Sequence, residues 1–173
     1  MPQAARALFL LIVAGLALTV IVVAVGWWRE PHRRLGRAMR GLLGGPADVL
    51  AMDVAHGQSA ALLVDEAKIG VLRGFGDTGL VFDMDELIGA ELIFDGQVCA
   101  RVFKNEGRRP LDHISPTVSR IALRLVFDDI RDPEFLLELW SPNHGPPEDP
   151  AAAEAMASAR RWFARAEAVL RRS

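Results

Sequence analysis

The sequence predicts an N-terminal transmembrane helix joined to an α+β domain, a mostly antiparallel β-sandwich or barrel capped by a C-terminal helix. Three observations predict it. Residues 7–28 are uncharged and overwhelmingly apolar. From Val49 onward the apolar residues recur with a period of 2 instead of 3.6. After the breaker SPNHGPPEDP (141–150) the chain turns rich in Ala and Arg, with a helical apolar repeat. The 173 residues thus divide into a short N-terminal tail (1–6), a transmembrane helix (7–28), a basic amphipathic juxtamembrane segment and linker (29–46), and a β-domain (47–173) ending in a helix over 151–172.

The first element follows from length and transfer energy. As a helix, residues 7–28 reach about 33 Å, enough to cross a hydrocarbon core of roughly 30 Å. Thr19 is the only hydroxyl in the run, and it can bond back to a carbonyl one turn earlier. Trp27 and Trp28 close the run, where an indole keeps its ring in lipid and its N–H in water. A cleaved signal peptide is the competing reading, since Ala24-Val25-Gly26 resembles a small-residue cleavage site. The apolar run exceeds the roughly 7–15 residues of a signal core, however, and only Arg6 precedes it. Arg29, Arg33, Arg34, Arg37 and Arg40 follow the run against Glu30 alone. The positive-inside bias therefore puts the C-terminal domain in the cytoplasm, at the cell (inner) membrane. Gly15 and Thr19 form a weak small-xxx-small pattern for homo-oligomers through the membrane helix.

The juxtamembrane stretch His32–Leu43 reads as an amphipathic helix with Pro31 at its first position. Arg33, Arg34, Arg37 and Arg40 fall on one face, and Leu35, Met39, Leu42 and Leu43 on the other. With Arg29, these arginines are the candidate contacts to anionic lipid. Two readings stay open: the helix lies at the headgroup boundary, or its arginines are only a topology signal and it packs on its own domain. Gly44-Gly45-Pro46 ends the segment.

About eight short strands follow. Leu50, Met52 and Val54 alternate with smaller or polar neighbours, as do Ala60, Leu62 and Val64. Ile69 and Val71, then Leu80 and Phe82, make two shorter runs. Ile88, Ala90, Leu92 and Phe94 share a face, and Asp95-Gly96 is a two-residue hairpin signal leading to Val98, Ala100 and Val102. The polar stretch 105–116 is a loop. Ile121, Leu123, Leu125 and Phe127 alternate cleanly, and so do Phe135, Leu137 and Leu139. This order implies a mostly antiparallel meander that must close or stack to hide its edges. No helix separates the strands, which excludes a Rossmann-type sheet. In the final helix Met156, Phe163 and Leu170 recur every seven residues, flanked by Ala152, Ala159, Ala166, Trp162 and Val169. Its stripe is expected against one open end of the β-sandwich; a two-stranded coiled coil is the alternative.

The strings LLVDEAKIGVL (62–72), FDMDELIGAELIFDGQ (82–97), IALRLVFDD (121–129) and DPEFLLELW (132–140) resemble those of bacterial pleckstrin-homology-like (PH-like) proteins of unknown function. The resemblance covers roughly residues 49–170 and consists of turns and strand patterns. It implies an interaction or membrane-associated module and carries no catalytic residues. Eukaryotic lipid-reading PH domains place basic residues on their first two strand–loop units. Here Lys68 and Arg73 stand against Asp65 and Glu66, so phosphoinositide binding is not expected.

Composition narrows the function further. Residues 1–44 hold six Arg and one Glu, 45–149 nine basic and nineteen acidic residues, and 150–173 five Arg and two Glu. An acidic body repels phosphate backbones, so no nucleic-acid partner is expected. The lone Cys99 allows no intramolecular disulfide and no CxxC zinc site. GFGDTG (74–79) has the G-x-G-x-x-G spacing but precedes a strand-like run, where a phosphate site needs a helix. Asp83, Asp85 and Glu86, and likewise Asp128, Asp129 and Asp132, could ligate a hard cation through oxygen, but they also suit turns and caps. His32, His56, His113 and His144 are scattered, and no two of them stand at i+3 or i+4, so a helical metal site is not supported. His113 with Ser115, or Cys99 with a histidine, could in principle form a nucleophile pair. No catalytic residue, metal or cofactor is expected. The reading is a single-pass membrane protein with a cytosolic, non-catalytic interaction domain and a protein partner. Its alternatives are a membrane-tethered enzyme with a metal site built from the acidic loops 83–86 and 128–132, and a secreted β-domain after signal cleavage.

Overall fold

The computed structural model describes residues 13, 15–23, 26, 30–106, 109–110, 118–146 and 149–172. They form an α+β fold with two antiparallel sheets and a C-terminal helix. The first sheet is a simple meander of β1 (Val49–Asp53), β2 (Gln58–Leu63), β3 (Lys68–Arg73) and β4 (Thr78–Asp83). The second contains β5 (Leu87–Phe94), β6 (Gln97–Phe103), β7 (Arg109–Pro110), β8 (Ile121–Phe127) and β9 (Glu134–Trp140). Its order is β7-β6-β5-β8-β9.

That order corrects the meander expectation in one place. β8 pairs with β5, on the side away from β6, so the chain crosses from one flank of β5 to the other. Asp95 helps fix this crossing. It turns the β5–β6 hairpin with φ of 48°, followed by Gly96 at 82°, the positive pair a type I′ turn needs. Its carboxylate also accepts the backbone N–H groups of Ser119 (2.9 Å) and Arg120 (2.8 Å), just before β8. The polar stretch 105–116 also contributes a two-residue strand, β7, which periodicity cannot reveal.

The inner faces of both sheets meet in one core that includes Leu62, Ile69, Phe82, Leu92, Leu123, Phe127, Phe135 and Leu137. Phe82 of the first sheet stacks on Phe127 of the second with ring centroids 4.0 Å apart. The C-terminal helix α2 (Pro150–Leu170) starts on Asp149, whose carboxylate accepts the Ala151 N–H at 2.8 Å, with Pro150 at the first position. It delivers Ala159, Trp162, Phe163, Ala166 and Leu170 into the same core, which is the expected capping role.

The helix α1 (Pro31–Leu43) packs on its own domain. Leu35, Met39 and Leu43 are buried in the protein, with Met39 and Leu43 on Ala61, Leu63 and Leu72 at the outer face of the first sheet. Burying side chains of this size contributes roughly 1.5–3 kcal/mol each. The contact is close because β3 and β4 carry glycines beneath it. A Cβ on Gly70 would lie 2.9 Å from Met39 Sδ, and one on Gly79 would lie 3.0 Å from Leu42 Cδ1. The apolar face of α1 is therefore covered by its own domain and is not offered to lipid. Gly44, in the left-handed conformation with φ of 76°, ends the helix as expected.

Candidate functional site

With its apolar side covered, α1 turns Arg33, Arg34, Arg37 and Arg40 outward, and all four are exposed. Arg29 lies outside the described residues. The four differ in surroundings. Arg33 Nε pairs with Glu30 at 2.7 Å, and Arg37 Nε donates to the Arg33 carbonyl at 3.3 Å. Arg34 points to the opposite flank, 3.6 Å from Asp77 and over the Phe75 ring.

Arg33, Arg37 and Arg40 line a groove of about 490 Å³ between α1 and β1. His32 joins them on the helix side, while Leu50 and Met52 of β1 supply an apolar wall. No Asp or Glu lines this groove among the described residues. A second cavity, of about 570 Å³, shares His32, Leu50 and Met52 and continues along β1 to Trp140 and His144. The arginine spacing was readable in the sequence. The β1 wall was not, because a helical stripe shows which face docks and not what it docks on.

Several of the other candidate residues are engaged in structure. Glu86 accepts the Asp83 N–H at 2.6 Å, capping the turn 84–86 as anticipated. Asp129 accepts the N–H groups of Asp132 (2.9 Å) and Arg131 (2.6 Å), and these two bonds, that of Asp132 foremost, hold its carboxyl below the usual carboxylate range. Asp132 pairs with Arg73 at 2.7 Å, tying the second sheet to the first. Among the described residues no three His, Cys, Asp or Glu side chains converge for a metal ion.

GFGDTG forms a tight turn into β4 rather than a helix start. The Phe75 N–H donates to the Gly57 carbonyl at 2.8 Å, which ties this turn to the β1–β2 turn. Cys99 Sγ lies 3.5 Å from the Gln97 carbonyl, with no histidine partner among the described residues. His113 and Ser115 lie outside the described residues.

Two histidine contacts went unread. The buried Asp53 holds His56 Nδ1 at 2.7 Å. His144 Nδ1 lies 2.9 Å from Ser141 Oγ and also accepts the Ser141 N–H at 3.1 Å. The i, i+3 spacing of each pair was the available signal. In the second pair the imidazole nitrogen is committed to a turn, so it is poorly placed as a base.

No protein-family model matches this chain. No curated protein and no solved structure matches it either.

Proposed function

We propose that this chain is a single-pass membrane protein whose PH-like β-domain sits on the cytoplasmic face and binds another protein or a membrane component without catalysing a reaction. The observation that carries this reading is the N-terminal helical run. Residues 15–23 are helical, and Leu16, Leu18, Val20, Ile21, Val22 and Val23 are 58–65% exposed. A run of branched aliphatic side chains without a protein cover demands another apolar environment. Thr19 Oγ1 donates to the Gly15 carbonyl at 2.9 Å, removing its cost in lipid.

No helix among the described residues is long and apolar enough to cross a membrane. Much of the proposed span, including Trp27 and Trp28, lies outside the described residues, and the uncharged 7–28 run of the sequence supplies the required length. The orientation rests on the arginines that follow the run. Arg33, Arg34, Arg37 and Arg40 are exposed on α1, whose apolar side is occupied by the first sheet, and positive charge at a membrane flank favours anionic headgroups.

Membrane fractionation with alkaline wash and a topology reporter on each end test this. The full chain should stay in the pellet, with the C-terminal reporter on the cytoplasmic side. A chain released to the supernatant without detergent removes the anchor. A C-terminal reporter active outside reverses the orientation, and a shortened mature N-terminus by mass measurement favours a secreted domain.

A further inference from the structure

We infer that the free edge of β4 takes up an extended strand of another protein, added along residues 79–81 and carrying a basic residue at each end. This rests on the reading above that the domain binds a protein partner. The sandwich has four edge strands, β1 and β4 in the first sheet and β7 and β9 in the second. An open edge invites foreign strands, and proteins blunt it with charge, proline, bulges, shortness or a cover. β7 is two residues long and ends in Pro110. β9 carries Glu134 and Glu138, and its ladder to β8 shifts register at Ile121/Ala122. β1 lies against β9. β4 differs from all three. It holds an unbroken register with β3 over its six residues. Residues 78–82 (TGLVF) contain neither charge nor proline, and no strand pairs with the far side of β4 among the described residues. Thr78, Gly79 and Val81 are exposed.

One bond fixes which backbone groups face outward. The Met84 N–H donates to the Ala67 carbonyl at 2.8 Å, one step beyond the Lys68–Asp83 pair. Hydrogen-bonded residues alternate along an antiparallel ladder, so Phe82, Leu80 and Thr78 bond to β3 while Asp83, Val81 and Gly79 face away. Asp83 agrees, because its N–H is taken by Glu86 Oε2 at 2.6 Å, which closes the open stretch. Gly79 and Val81 thus offer two N–H and two C=O groups to an incoming strand. Val81, 42% exposed, gives that strand an apolar neighbour on the outer face, and Leu80 gives it one on the inner face.

Charge selects the occupant. Asp77 and Asp83 bracket the stretch. The Asp77 carboxylate is 77% exposed and lies 3.6 Å from Arg34, which is shared with the Phe75 ring. The Asp83 carboxylate caps the turn 84–86, and Lys68 beside it pairs with Glu66 at 3.0 Å. Both ends therefore favour basic residues on the added strand. A second copy fits worse. A two-fold axis at Leu80 would pair Gly79 with Val81 but set Asp77 opposite the second copy's Asp83, and like charges directly opposite are destabilising. An axis at Val81 would need the Asp83 N–H that Glu86 already holds.

The test uses the full chain in non-ionic detergent, isotope-labelled for amide exchange by NMR, with the peptide acetyl-Lys-Val-Thr-Val-Thr-Val-Lys-amide as probe. Its lysines fall opposite Asp83 and Asp77 when its third and fifth residues face Val81 and Gly79. At millimolar peptide, exchange at Gly79 and Val81 should slow about tenfold, while Leu80, already bonded to β3, should not change. N-methylation of the third and fifth peptide residues should abolish the effect, and N-methylation of the second and fourth should preserve it. Val81→Pro removes an N–H that β3 does not use and should lose the peptide; if that variant unfolds, the methylated peptides carry the test. No slowing, or the same slowing by the peptide methylated at its third and fifth residues, overturns β4 as a docking edge. Membrane fractionation is untouched by that result, so failure of the edge and failure of the anchored reading are told apart. Equal binding with Glu in place of both lysines overturns the basic partner. Slowing that needs no peptide and grows with protein concentration makes a second copy the occupant and overturns the partner strand.

Discussion

The two helices of the β-domain begin alike and are held by different means. Both place Pro at their first position and both show an apolar stripe. α2 drives Trp162 and Phe163 into the core shared by the two sheets. α1 lays Met39 and Leu43 on the outer face of one sheet, in a separate cluster with Ala61, Leu63 and Leu72. The first helix is thus an added layer and the second a structural plug. A plug cannot leave without opening the core, whereas a layer can be loosened while the sheets survive. It is the layer that carries the arginine groove.

The largest expected effect is on the plug. Trp162→Ala should cost about 3–5 kcal/mol, read as a lowered denaturation midpoint for the whole domain. A change of under about 1 kcal/mol would show that α2 is dispensable to the core. The layer should respond locally. Gly70→Val places carbon where Met39 and Leu43 now sit and should cost about 1–3 kcal/mol by overpacking. Hydrogen exchange should then rise in α1 and stay unchanged in β5 and β8; equal loss of protection in both would erase the distinction drawn here.

A smaller effect concerns the tie between the sheets. Arg73 meets Asp132 at 2.7 Å and lies over Phe135, but both partners of the ion pair are about a third exposed, so Arg73→Ala should cost only about 1 kcal/mol. The smallest is the pH response of Asp129. Its carboxyl is held below its ordinary value by backbone N–H groups. The stabilisation is therefore present above the ordinary value and is lost as pH falls through the lowered folded value. Asp129→Asn should flatten the acid limb of stability slightly, and an unchanged limb would show that the turn does not sense its charge.

The sequence was readable where one physical signal sufficed. Alternation located the eight longer strands, because each has one face on the core. Asp95-Gly96 located its hairpin, and Pro31 with Gly44 bracketed α1. β2 is instructive: Ala60, Ala61, Leu62 and Leu63 are all buried, since α1 covers the face that alternation alone would assign to solvent. Neighbour relations were not readable. Period 2 says which side of β8 is apolar and nothing about whether it lies beside β5 or β6. Only the fold shows that Gly70 and Gly79 lie beneath one helix. The groove shares that limit, with its arginines visible as a stripe and its β1 wall supplied by tertiary packing.

The crossing of β8 to the far flank of β5 has a kinetic consequence. In the first sheet each strand finds its partner across a short turn, as when Asp53 meets Gln58 and Leu63 meets Lys68. In the second, Phe94 must find Ile121, with the whole of β6 and its trailing loop between them. Closing that longer ring costs chain entropy before any pairing is gained. The four-stranded meander should therefore assemble early, and the docking of β8 should set the pace for the domain.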